Sequence, residues 1–324
     1  FIAITKAGQV DVYDTETKTT RYASIRNGQP YSNYEVVRVS DNGDKVLVRT
    51  WNGLLTPSGA GGLFLLTTNS DTPARRIDVD SQGNTFTYQG WSFEKKDVDM
   101  TPDGKMIVFA IRDTQDSMTW GEQTTKIYTK NVINGDLSRI DLVANGIEQG
   151  YSGNPRISDD GLAIIFTSNK KLTEESSAPG RTNSAPADIF LWRNGGIELV
   201  NKLQDGSLIT SNYGWDPDIS GDGSTITFQT GEQINQEDKN ISSDIYIFHV
   251  STNSITLASD GGIKGGIYSH ISQDGKLVYY SSYADSSLKV KEIDSGRTFE
   301  LPSQLPNNTG AVSYTHLTLP TILL

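Results

Sequence analysis

Aromatic rings recur beside hydrogen-bonding side chains along this 324-residue chain: Tyr31 and Tyr34, Trp91 and Phe93, Tyr151, Tyr213 and Trp215, and Tyr268. Glu35, Asp97, Asn154, Asp216 and Ser269 accompany them. Flat apolar faces next to carboxylates and amides suit stacking on sugars or gripping peptide side chains. The same rings would equally serve as wedges between packed sheets. A ligand site here therefore means Tyr34, Trp91, Phe93, Tyr151, Tyr213, Trp215, Asp216 and Tyr268, and the packing alternative stays open beside it. A second series varies in charge at even intervals: Arg38, Asp99, Arg156, Asp218 and His270. It reads as solvated lining or as the wall of a shaped site.

Other chemistries find less support. Asp238, Asn240 and Asp244 have a spacing that a calcium ion can use, but the loop lacks the sixth-position Gly and closing Glu of an EF-hand. Asp188 and Asp244 share a repeat position, where capping the start of a strand is the simpler role. No cofactor is expected. Gly90-Trp91-Ser92-Phe93-Glu94 begins like a nucleophile elbow but has Glu where Gly is required, and no helix pattern follows. Gly150-Tyr151-Ser152-Gly153-Asn154 fails in the same way. His249 and His270 are isolated, so neither a metal cluster nor a catalytic triad is visible. No Cys is present, which removes disulfides and thiol chemistry. The formal net charge of −11 disfavours nucleic acid as a partner. No apolar run is long enough to span a membrane.

The elements that position these residues follow from a repeat. An apolar residue, Ser or Thr, any residue, Asp or Asn, then Gly occurs as Val39–Gly43, Met100–Gly104, Ile157–Gly161, Ile219–Gly223 and Ile271–Gly275. The glycines at 43, 104, 161, 223 and 275 lie 52 to 62 residues apart. Asn-Gly and Asp-Gly supply the positive φ of a tight hairpin, so Gly43, Gly104, Gly161, Gly223 and Gly275 are structural turn residues. A short strand precedes each turn. A β-branched and aromatic run follows it: 45–50, 105–110, 163–168, 225–230 and 277–282. Third strands are clearest at 188–192 and 244–248 and weaker at 126–128, 63–65 and 288–290. Fourth strands fall at 75–79, 137–142, 197–200, 255–259 and 298–301. Residues 1–4, 9–14 and 19–24 read as the closing strands of a further unit. Four antiparallel strands per unit without helices predict an all-β β-propeller.

The phrases resemble the TolB-like propeller repeat, a WD-type bacterial unit, over residues 30 to 302 and best over Asn154–Phe190 and Asp216–Phe248. The repeat predicts one propeller domain over 1–311, with blades at 30–80, 90–145, 150–202, 212–260 and 267–303 and a partial blade at 1–24. Six blades complete such a ring economically, with about five and a half present. The chain reads as a fragment. Residues 312–324 resemble a translated sequencing adapter and are expected to lie outside the native fold. Fold alone does not fix function. The expectation is a non-catalytic binding or scaffold propeller of a bacterial envelope or secreted protein, with a protein, peptide or glycan ligand at the channel mouth. Its location would be periplasmic, cell-surface or secreted. The alternative is the substrate-gating propeller of a prolyl-oligopeptidase-like serine peptidase.

Overall fold

The computed structural model describes residues 1–6, 9–23, 34–53, 59–70, 72–86, 97–112, 124–143, 150–176, 187–209, 216–262, 265–283 and 285–301. Every regular element among them is a strand. Three strands, β1 (Ile2–Lys6), β2 (Gln9–Tyr13) and β3 (Thr20–Ala23), form one antiparallel sheet. Five four-stranded antiparallel sheets follow. The first joins β4 (Tyr34–Val39), β5 (Lys45–Gly53), β6 (Gly59–Thr67) and β7 (Arg75–Arg76). The second joins β8 (Val98–Met100), β9 (Met106–Arg112), β10 (Thr125–Asn131) and β11 (Leu137–Arg139). The third contains β12 (Ser152–Ile157), β13 (Ala163–Ser168), β14 (Asp188–Arg193) and β15 (Gly196–Leu199). The fourth has β16 (Asp218–Ile219), β17 (Thr225–Thr230), β18 (Asp244–His249) and β19 (Ser254–Leu257). The last has β20 (Gly266–Ile271), β21 (Leu277–Ser282), β22 (Leu288–Glu292) and β23 (Thr298–Glu300). In each, strands adjacent in sequence are adjacent in the sheet, the blade expected from the repeat. The chain groups into two compact units, Phe1–Leu142 with Gln149–Pro155 and Val143–Glu148 with Arg156–Leu324.

The recurring phrase has a physical explanation at every turn. The Ser or Thr hydroxyl donates to the Asp or Asn two residues on: Ser158 Oγ to Asp160 Oδ1 at 2.7 Å and Ser220 Oγ to Asp222 Oδ1 at 2.6 Å. The same oxygen accepts the N–H five residues on, from Ala163 at 2.9 Å and Thr225 at 3.0 Å. Ser40, Thr101 and Ser272 repeat both bonds. One hydroxyl thus closes the hairpin from both sides. The glycine completes it at φ between 68° and 74° in all five copies, where any side chain would be strained. Backbone bonds also join turn to turn: Asp41 N–H to Pro102 O at 2.7 Å in the first unit, and Asp159 to Gly221 to Gln273 at 2.8 Å each in the second.

Sheets pack face to face through their second and third strands. In the second unit, Ile189, Leu191, Val200 and Ile209 meet Ile226, Phe228, Tyr246, Phe248 and Leu257 in one buried cluster. In the first unit, Leu47, Leu63, Leu65 and Ile77 meet Met100, Ile107, Phe109 and Ile111. Stacked pairs Phe109–Tyr128, Phe166–Phe190 and Phe228–Tyr246 occupy one repeat position, with ring centroids 6.2, 5.8 and 6.0 Å apart.

Third strands are pinned by a device that changes its chemistry. The N–H of Leu63, Ile127, Ile189 or Ile245 donates to a side chain lying just beyond the fourth strand: Asp78, Asp141, Asn201 and Ser259 respectively. In the second unit, where that partner is neutral, a carboxylate enters from the start of the third strand instead. Asn201 Nδ2 donates to Asp188 at 2.9 Å, and Ser259 Oγ donates to Asp244 at 2.5 Å. In the first unit Asp78 and Asp141 bring the charge themselves and pair with Arg76 and Arg139 at 2.9 Å. The capping role read for Asp188 and Asp244 takes this form.

Candidate functional site

The loops that lead into the first strands carry the candidate ligand residues. Trp91, Phe93, Tyr213 and Trp215 lie outside the described residues, as does Tyr31. Tyr34 opens β4, its backbone opposite Thr50. Tyr151 is half-buried, and its ring lies over its own strand at Gly153, where a Cβ would stand 1.8 Å from the phenol oxygen. Asp216 is half-buried, and Tyr268 is 63% exposed.

The backbone adds a regularity that composition does not reveal. Asn154, Asp216 and Tyr268 each stand four residues before a turn serine, and each has positive φ: 51°, 36° and 56°. Asn and Asp visit this region readily, whereas for a bulky aromatic it is a true outlier. Tyr268 is held by the neighbouring sheet, since its N–H donates to Gln229 Oε1 at 3.0 Å. In the first unit, the Asn154 N–H points at Asp97 Oδ1 at 3.4 Å. The pairing register of β20 with β21 shifts between Ile267 and His270, so the kink re-aims Tyr268 out of the sheet pattern. Strain of this type is over-represented at binding and catalytic positions.

Beside these entries, four residues of the charge series form two pairs, and His270 is at the same time largely solvated. Arg38 meets Asp99 at 3.0 Å, and both are largely buried. In the second unit His270 Nδ1 lies 3.3 Å from Asp218 Oδ2, which also accepts the Ile271 N–H at 3.1 Å. Burial alone would raise the Asp218 carboxyl, but the His270 hydrogen bond and the charges of His270 and Arg156 outweigh it and hold it below its ordinary value. This contribution is present at neutral pH and is lost as pH falls through the depressed Asp218 value. Asp218→Ala is expected to cost about 2 kcal/mol by urea unfolding at pH 7, because the Ile271 N–H loses its acceptor. The difference from wild type should shrink below pH 4. The sequence placed these residues at equivalent positions, and opposite signs on neighbouring repeats were the available signal for pairing.

The remaining motifs are placed as follows. Ser152 is fully buried, with its N–H and C=O both bonded to Thr125 Oγ1, which leaves it no access to a substrate. His249 sits on β18 facing Thr256, far along the sheet from the strand entries. Among the described residues, no group of three or more His, Asp and Glu side chains is arranged to hold a metal ion. Asp238, Asn240 and Asp244 do meet. Asn240 Nδ2 donates to Asp244 at 2.9 Å, and Asp238 accepts from the Asn240 N–H at 3.1 Å and from Tyr246 Oη at 2.7 Å. Burial, reinforced by Asp238 and Asp260, pushes Asp244 up to about 6.

Neither a protein-family model nor the sequence of a curated protein matches the chain. Solved structures do match. The TolB-type protein of Agrobacterium tumefaciens is 16% identical at a TM-score of 0.50, with 90% of this chain and 87% of that chain covered. The β-propeller domain of the Trilobed protease from Pyrococcus furiosus is 11% identical at 0.52, covering 93% and 85%. The acylaminoacyl peptidase of Pyrococcus horikoshii is 12% identical at 0.55 over 91% of this chain but only 41% of its own length. At these identities the likeness shows the fold alone. That fold is the all-β propeller of four-stranded blades. No helix among the described residues is long and apolar enough to cross a membrane.

Proposed function

We propose that this chain is a non-catalytic binding propeller that takes a peptide, protein or glycan ligand where the loops enter the first strands. The observation that supports the reading best is Tyr268, an aromatic side chain held exposed on a left-handed backbone between Gln229 and the Asp218–His270 pair. A ring kept in that conformation forgoes stability that Gly would recover, and packing does not explain it because the ring is mostly in solvent. The acidic, Cys-free composition and the TolB-like blades support an envelope or secreted location, periplasmic or at the cell surface.

The test separates recognition from packing. Tyr268→Gly is expected to abolish retention on peptide and glycan arrays while leaving stability unchanged or raising it by about 1 kcal/mol. Unchanged retention, or a large loss of stability, would overturn the role assigned to Tyr268. The second reading, a substrate-gating propeller of a serine peptidase, is favoured by the likeness to the acylaminoacyl peptidase over 91% of this chain. A Gly-x-Ser-x-Gly motif on a strand-turn-helix encoded downstream in the same reading frame would select it.

A further inference from the structure

The third strands of the complete sheets carry a large aromatic at one repeat position: Phe64, Tyr128, Phe190 and Tyr246, paired across to Val48, Phe109, Phe166 and Phe228. In the last sheet that position is Lys289, paired to Tyr280. Two residues on, where the fourth sheet has Phe248 and the third has Trp192, the last sheet has Lys291. On the fourth strand, Leu199 and Leu257 give way to Glu300. The seam between the fourth and fifth complete sheets therefore lacks the side chains that fill the seam before it. Its buried cluster is reduced to Ile245, Ile247, Ala258, Val278 and Tyr280. A groove of about 710 Å³ opens there, well within the size range of small-molecule sites.

We propose that this groove binds a neutral polyhydroxyl ligand, a short oligosaccharide, at a site separate from the Tyr268 face. Its charged lining is balanced, with Lys239, Lys289 and Lys291 against Glu237, Asp260 and Glu300. Lys289 is paired with Glu300. An anion would meet the carboxylates and a cation the ammonium groups. An apolar ligand would leave the ionised groups desolvated without partners. A sugar hydroxyl donates to carboxylates and accepts from ammonium groups at once, so it satisfies both. Ser282 strengthens the case, because the residue lines the groove and its buried Oγ, just beneath the surface, has no hydrogen-bond partner.

The experiment is an array of neutral cello-, malto-, xylo- and chito-oligosaccharides, followed by calorimetric titration of the retained sugar. The full chain is expected to retain at least one of them. Lys289→Tyr with Lys291→Phe, which restores the side chains of the fourth sheet, should lower affinity at least tenfold and raise the urea midpoint. Ser282→Ala should lower affinity about threefold to tenfold with an unchanged midpoint, and it serves alone if the double variant fails to fold. Tyr268→Gly should leave this binding intact, which separates the groove from the face proposed above. Retention of sulfated or phosphorylated glycans only, no retention at all, or binding indifferent to Ser282→Ala would overturn the proposal.

Discussion

Phe228→Ala is expected to lower the stability of the second unit by about 3–5 kcal/mol, as a fall in the urea midpoint. Phe228 is fully buried on β17, in the seam formed with Ile189, Leu191, Val200 and Ile209. Its ring stacks on Tyr246 at 6.0 Å with an interplanar angle of 22°. Truncation removes the transfer free energy of the ring and leaves a cavity that two packed sheets, tied at their turns, cannot collapse around. Phe228→Leu keeps most of the volume and should cost about 1.5 kcal/mol or less. A loss below 1 kcal/mol for the alanine variant would show that the sheets do not rely on this seam.

The contrast between seams explains what the sequence disclosed and what it hid. Turns, second strands and third strands were legible because their signals are local. A hydroxyl, an Asp or Asn side chain and a glycine within five residues close the hairpin in all five copies. The boundaries 163–168, 225–230 and 277–282 recur unchanged as β13, β17 and β21. The first fourth strand was read too long: 75–79 shrinks to Arg75–Arg76, because beyond Ile77 the chain turns and Val79 bridges to Thr85 instead. The weakness of the 288–290 pattern as a third strand was itself a signal. Lysines replace aromatics there, and the groove results.

The site was legible only as composition. Three equivalent residues, Asn154, Asp216 and Tyr268, adopt left-handed backbone, but only Asn and Asp announce that tendency in sequence. For Tyr268 the conformation is imposed from the neighbouring sheet through Gln229, a partner 39 residues away. The charge series was visible as alternation, yet pairing depends on which sheets lie side by side. Asp218 and His270 meet across 52 residues of sequence. Information of that range is tertiary and has no local pattern.

Asp244 predicts a pH dependence opposite to that of most carboxylates. It is fully buried, and burial is the largest influence on it, opposed by the Ser259 and Asn240 hydrogen bonds and reinforced by the charges of Asp238 and Asp260. Its pKa is pushed up to about 6 from an ordinary 3.8. Between those values the folded chain holds a proton that the unfolded chain has released, so stability falls as pH rises and levels off above 6. A shift of that size corresponds to roughly 3 kcal/mol. Asp244→Asn removes the titration but keeps an oxygen to accept from Ser259, while the bond from Asn240 is lost. The variant should therefore be slightly less stable than wild type at pH 4 and gain relative to it as pH rises through about 6, after which the difference stays constant. Urea midpoints measured across that range check the crossing. Parallel curves would mean that Asp244 ionises inside the fold without penalty, and that the carboxylate cap of the third strand is better solvated than its burial implies.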